Sequence, residues 1–161
     1  MTSNRQLRIG VLGPGTASAE TLALAQEVGA QIARLGAVLV CGGLGGVMAA
    51  AAHGARQAGG LTVGIVPGTD PEDANDFIDV PIVTGMGEAR NVLVVRSSNA
   101  VIAIAGSYGT LSEMAVALKL GIPVVGLGTW ELRGPDGSEP PILRASTPQE
   151  AVAKAVEAVR L

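Results

Sequence analysis

Apolar residues along this chain fall into two rhythms. Five short runs are apolar almost throughout and each closes on glycine: LRIGVLG (residues 7–13), AVLVCGG (37–43), LTVGIVPG (61–68), NAVIAIAG (99–106) and IPVVGLG (122–128). A less hydrophobic run, VPIVTG (80–85), reads as an edge strand. Between the runs, apolar positions recur every three to four residues over 18–35, 46–58, 87–97, 110–120 and 148–160, which predicts five helices. Strands without a polar face, alternating with helices, predict a parallel sheet covered on both sides. The expected fold is one three-layer α/β domain over residues 1–161, with a mostly parallel sheet of about six to seven strands.

The punctuation agrees with this division. Ser18 or Thr16 is placed to cap the first helix, and Gly36 and Gly121 stand where a left-handed residue ends a helix. The last helix is expected to begin with Thr147 as cap, Pro148 in the first helical position and Glu150 three residues after the cap. Residues 69–79 and 128–140 are rich in turn formers and read as surface loops; no internal repeat or linker divides the chain.

Composition sharpens the picture in two places. Hydrophobic residues make up 48% of the chain but aromatics only 2%, so the core must be built from Ala, Val, Leu and Ile, which lets helices lie close to the sheet. A net charge of −3, with lysine only at Lys119 and Lys154, leaves no basic footprint for nucleic acid. A single cysteine excludes an internal disulfide, the first apolar run is too short for a signal peptide, and no stretch reaches the ~18 apolar residues of a membrane span. A cytoplasmic protein without membrane or nucleic-acid partners is expected.

In open parallel sheets, ligands bind beyond the carboxyl ends of the strands, where strand order reverses. Three glycine-rich turns follow strands and can meet there: GPGTAS with Gly13 and Gly15, GGLGG with Gly42, Gly43, Gly45 and Gly46, and AGSYGT with Gly106, Ser107, Tyr108, Gly109 and Thr110. Glycine lets a ligand approach the backbone, and the free amides opening the next helix favour an anion, phosphate above all. The same glycines also serve simply to tighten strand-to-helix turns, and both uses stand at this level. Neither a GxGxxG fingerprint nor a P-loop lysine is present, which excludes NAD-dependent and ATP-hydrolysing readings and leaves a nucleoside monophosphate or another small phosphorylated ligand.

Glu113 has two readings. Thr110 and Glu113 form T-x-x-E, a capping box at a helix start. Alternatively Glu113 faces the ligand, where it accepts hydrogen bonds from a ribose diol and needs a cation between itself and a phosphate. Arg90 and Arg96 flank the preceding helical pattern, and Arg90 lies nearer the ligand-binding ends of the strands. Tyr108 is placed to stack on a base. His53, with no Cys or carboxylate at metal-ligand spacing, reads as a packing or surface residue, Cys41 as a buried structural thiol, and the acidic run Asp70, Glu72, Asp73, Asp76 and Asp79 as a solvated loop. No metal site and no required cofactor are expected.

The stretches IGVLGPG, CGGLGGVMAAAAHGARQAGGLTVGIVPG and TGMGEARNVLVVRSSNAVIAIAGSYGTLSEMAVALKLGIPVV together resemble the Rossmann-like superfamily of LONELY GUY (LOG) proteins, some of which carry the older label lysine decarboxylase. The match is to the branch of small nucleotide-binding proteins that includes molybdenum-cofactor carriers. LOG enzymes hydrolyse the N-glycosidic bond of cytokinin riboside monophosphates and carry PGGxGTxxE with an upstream arginine. Gly106, Gly109, Thr110 and Glu113 match that signature and Arg90 matches the arginine, which implies catalytic roles for Arg90 and Glu113 beside a phosphate-holding turn. Ala105 replaces the signature's proline, Ser107 its second glycine, and Asn91 the lysine usual after the arginine. The resemblance therefore implies either phosphoribohydrolase activity on an AMP-like nucleotide or non-catalytic carriage of molybdenum cofactor, in a homodimer or higher homo-oligomer. Lysine decarboxylation is excluded, since neither lysine lies near the glycine turns and a pyridoxal enzyme needs one for its Schiff base.

Overall fold

The structure, a computed structural model, describes residues 5–160; the ends of the expected domain, residues 1–4 and 161, lie outside the described residues. The elements in chain order are β1 (Arg8–Leu12), α1 (Ala19–Arg34), β2 (Val38–Cys41), α2 (Val47–Gln57), β3 (Thr62–Val66), β4 (Val80–Val83), α3 (Asn91–Arg96), β5 (Ala100–Ile104), α4 (Tyr108–Leu120), β6 (Val124–Leu127), β7 (Ile142–Ala145) and α5 (Pro148–Arg160). They form a three-layer α/β fold around one seven-stranded, wholly parallel sheet in the order β4-β3-β2-β1-β5-β6-β7. The order reverses between β1 and β5, which opens a crevice at their carboxyl ends.

Side chains alternate between the two faces of the sheet. Ile9, Val11, Leu39, Cys41, Ile102 and Ile104 point to one layer, where they meet Ala25, Val28 and Ile32 of α1, Ala51 and Ala55 of α2 and Ala151, Val152 and Ala155 of α5. Leu12, Val38, Val40, Ile65, Val101 and Ala103 point to the other, against Val94 and Val95 of α3 and Met114 and Ala117 of α4. The small residues have a visible purpose where α1 crosses α2. A Cβ on Gly29 would lie 1.8 Å from the Ala51 carbonyl oxygen, and one on Gly54 would lie 1.8 Å from that of Gln26, so the two helices touch backbone to backbone.

All five fully apolar runs form buried strands, and VPIVTG forms the edge strand β4, whose Val80, Ile82 and Val83 are exposed. The seventh strand, β7, falls in a stretch to which the hydrophobic pattern assigns no element. It is a half-exposed edge with only Ile142, Leu143 and Ala145 apolar. Ser18 caps α1 by accepting from the Thr21 amide, 3.2 Å, and the Thr147 hydroxyl accepts from the Glu150 amide, 3.1 Å, as expected of α5.

Two helix starts differ from expectation. The helix expected over 87–97 is a 3₁₀ turn, Gly87–Arg90, followed by α3, because the Gly87 amide is tied to the Pro67 carbonyl at the end of β3, 3.0 Å. The helix expected from Thr110 starts two residues earlier, at Tyr108. Its cap is Ser107, whose hydroxyl accepts from the Thr110 amide. The Thr110–Glu113 capping box does not form. Glu113 lies well inside α4, too far along it to reach back to the helix end.

Candidate functional site

Three loops leave the carboxyl edge of the sheet side by side, after β1, β2 and β5, and the 3₁₀ turn before α3 closes the fourth side. Between them is a cleft of about 330 Å³ lined by Gly13, Gly15, Gly42, Leu44, Met48, Pro67, Gly87, Glu88, Arg90, Asn91, Ser107, Gly109, Thr110 and Glu113. A larger concavity of about 550 Å³ is lined by residues between Glu131 and Arg144, among them the exposed Arg133–Glu139 ion pair, and has no buried polar group among its lining residues.

Arg90 is the structural centre of the cleft. It is only 8% exposed, at the junction of the 3₁₀ turn and α3. Its Nη2 donates to the Gly42 carbonyl, 3.4 Å, and its Nη1 to the Asn91 side chain, which in turn donates to the Ser112 hydroxyl of α4, 3.4 Å. Glycine at 42 leaves room for this seat, since a Cβ there would lie 2.8 Å from the Met48 sulfur and 3.0 Å from Nη2. The Arg90 Nε is buried without any partner. A buried charged donor left unmatched costs about 1–3 kcal/mol or more, so its retention points to an acceptor that arrives from outside.

Glu113 reaches the same space from α4. Burial pushes its carboxyl up to about 7, against the pull of the Arg90 guanidinium, well above the ordinary carboxylate range. Burial lowers the Arg90 guanidinium from its ordinary value, while Glu113, Cys41 and Glu88 act in the opposite direction. Cys41, fully buried at the end of β2, is pushed up to about 12 by that burial, which makes it a neutral structural thiol.

The amides complete the chemistry. Among the described residues, the N–H groups of Gly15, Leu44, Gly45, Tyr108 and Gly109 donate to no protein acceptor, and the last two open α4. A Cβ on Gly15 would meet nothing, and one on Gly109 only the Ser107 hydroxyl at 3.7 Å, so both leave their backbone bare towards the cleft. Helix-opening amides and a guanidinium are the donor set that phosphate prefers.

Of the residues singled out from sequence, Gly13, Gly15, Gly42, Ser107, Gly109, Thr110, Arg90 and Glu113 thus come together, whereas Gly43, Gly45, Gly46, Gly106 and Tyr108 do not line the cleft. Gly43 packs on Val66, and Gly46 precedes α2, whose first amide, that of Val47, is held by the Pro14 carbonyl at 3.0 Å. Gly106 makes room for Trp130: a Cβ would lie 2.5 Å from the indole nitrogen, which donates to the Ser107 carbonyl, 3.2 Å. Tyr108, 83% exposed, stacks on Trp130 outside the cleft, with ring centres 6.1 Å apart. Leu44, Met48, Pro67, Gly87, Glu88 and Asn91 line the cleft unforeseen. Their signal was proximity in sequence, since Glu88 and Asn91 flank Arg90 and Leu44 sits within GGLGG. His53 packs on Phe77, ring centres 4.3 Å apart, as a packing histidine should. Lys119 and Lys154 lie on α4 and α5, and neither is in the cleft. Among the described residues no group of three or more His, Cys, Asp or Glu side chains converges as a metal site would, and no helix is long and apolar enough to cross a membrane.

The family model of the SLOG cluster4 family matches residues 6–157. The chain belongs to that family. An uncharacterized protein from Archaeoglobus fulgidus is 46% identical over 151 residues, 91% of this chain and 92% of the other. A protein of Mycobacterium tuberculosis named cytokinin riboside 5'-monophosphate phosphoribohydrolase is 44% identical over 100 residues, 60% of this chain and 53% of its own length. Among solved structures, the molybdenum cofactor binding protein of Rippkaea orientalis superposes with a TM-score of 0.88 at 39% identity, covering 99% of this chain and 100% of the other. The molybdenum cofactor carrier protein of Chlamydomonas reinhardtii does so with 0.84 at 36%, covering 98% and 100%. The resemblance to the LOG superfamily and its carrier branch therefore holds for the SLOG cluster4 chain.

Proposed function

We propose that this protein binds a small phosphorylated ligand in the cleft, with its phosphate on the amides opening α4 and its charge met by Arg90, and that the ligand is a phosphorylated pterin of the molybdenum-cofactor class, carried without turnover. The observation that carries the anion site is the buried Arg90 guanidinium, with an unmatched Nε, beside open glycine backbone. The pterin is favoured because the two molybdenum-cofactor proteins match the chain from end to end, whereas the phosphoribohydrolase match spans about three fifths of it. A backbone feature points the same way. Ala105 sits at φ +54°, an angle that proline, fixed near −65°, cannot adopt. The turn is therefore not shaped like the proline-led PGGxGT signature of the hydrolases.

A second reading, hydrolysis of a nucleoside 5'-monophosphate, is favoured by Glu113. A carboxyl that titrates near neutrality is suited to giving its proton to a departing base while water adds to the ribose carbon, and to taking back the proton that this water loses, so that free base and ribose 5-phosphate result. One pair of assays separates the two readings. Calorimetry with a phosphorylated pterin is expected to show saturable binding, and incubation with AMP is expected to release no adenine. Adenine release that disappears in Glu113→Ala would replace carriage with hydrolysis, and an absence of pterin binding would reject the carrier reading.

A further inference from the structure

The segment between β3 and β4, residues 67–79, is rich in acidic side chains and has the composition of a solvated loop. It is instead fastened at three places. Phe77 stacks on His53 of α2. Asp79 accepts from the Thr62 amide, 3.0 Å, and from the Thr62 hydroxyl, 3.1 Å, and pairs with Arg56 at 3.5 Å. Asn75 bonds to the second glycine turn 32 residues away: its backbone amide donates to the Gly43 carbonyl, 2.8 Å, and its side-chain Nδ2 donates to the carbonyls of Gly43, 3.2 Å, and Leu44, 2.8 Å. The Asn75 Oδ1 is held in turn by the Phe77 amide, 3.0 Å, which fixes the rotation of the carboxamide and sets Nδ2 on the turn.

In a trans peptide the carbonyl and the following N–H point in opposite directions. Holding the Gly43 and Leu44 carbonyls against Asn75 therefore turns the Leu44 and Gly45 amides the other way. Leu44 lines the cleft whereas Asn75 and Gly45 do not, so the amide that this clasp brings to bear on the cleft is that of Leu44. Neither amide has a protein acceptor among the described residues, which leaves the Leu44 N–H available to a ligand.

We propose that Asn75 is a positioning residue: it lines no part of the cleft, but by holding the Gly43 carbonyl it aims the Leu44 amide into the cleft and so makes the second glycine turn part of the anion site. This rests on the phosphorylated-ligand reading above. The glycines of 42–46 allow the turn many conformations, and Asn75 selects one. The acidic neighbours on the segment are mostly exposed and are not needed for this role.

The test is Asn75→Asp, which keeps the size and the acceptor for Phe77 but replaces the donor to both carbonyls with an oxygen that repels them; Asn75→Ala is the second variant. AMP and inorganic pyrophosphate are the calorimetric probes, and the amide NMR chemical shifts of residues 43–47 are the second readout. Both variants are expected to bind the probes at least tenfold more weakly and to move the 43–47 amide signals, with those of β1 and β5 unmoved. Unchanged signals at 43–47, or wild-type affinity in both variants, overturns the proposal. A wild-type protein that binds no phosphorylated probe overturns the ligand reading instead, and the chemical-shift comparison then decides the role of Asn75 alone.

Discussion

Glu113 is held by two opposing effects, and burial is the stronger: it pushes the carboxyl from 4.5 up to about 7 despite the nearby Arg90. Below about 4.5 the folded and unfolded chains both hold the proton and the residue contributes nothing to the pH dependence. As pH rises, the unfolded chain ionises first while the folded chain keeps its proton, so stability falls until the folded carboxyl also ionises. Above about 7 the full penalty is present, on the order of 3 kcal/mol. Glu113→Gln should therefore raise the melting temperature at pH 8 by about 6–12 °C and leave it unchanged at pH 4. Equal melting temperatures at pH 8 would contradict the buried carboxyl. Sequence singled out Glu113 and Arg90 as candidates, yet it left Glu113 divided between cap and ligand, because Ser107 and Thr110 are both competent caps and T-x-x-E occurs whether or not it is used. Only the fold shows that Ser107 takes the cap and leaves Glu113 to the cleft.

At the scale of elements, the central strands were legible because burial on both faces leaves them apolar throughout and the edge strand β4 because VPIV is apolar although exposed, whereas β7, ILRA, carries Arg144 and follows a stretch of turn formers. Long-range contacts left no trace in the pattern. The clasp between Asn75 and the turn at 42–46 joins residues of unremarkable type far apart in sequence, and Trp130 was hidden in a stretch that reads as loop although it supports the Ser107 carbonyl. The α1–α2 crossing was legible only as an excess of small residues. Its backbone contact makes a specific prediction: Gly54→Ala improves intrinsic helix propensity by about 1 kcal/mol but puts a methyl group against the Gln26 carbonyl. The clash should win by about 1–3 kcal/mol, lowering the melting temperature by about 2–12 °C. A melting temperature that rises would mean that the helices do not touch there.

For the whole molecule, an all-parallel sheet sends every strand's following loop to one edge, and the reversal between β1 and β5 separates two of those loops enough to admit a ligand. The architecture thus explains why turns separated by about thirty and sixty residues in sequence line one cleft, and why the same frame suits proteins named as cofactor carriers and as phosphoribohydrolases alike. The chain's departures from the pattern of PGGxGTxxE with an upstream arginine are local: a turn entered through Ala105 at positive φ, and Asn91 rather than lysine beside Arg90. The central claim is that a phosphate group anchors the ligand through Arg90, and the most direct test is a calorimetric titration with a phosphorylated pterin and with the same pterin lacking its phosphate. The phosphorylated form is predicted to bind at one saturable site, at least a hundredfold more tightly than the other, and to lose that advantage in Arg90→Ala; equal affinity for the two forms, or an advantage that survives Arg90→Ala, would contradict it.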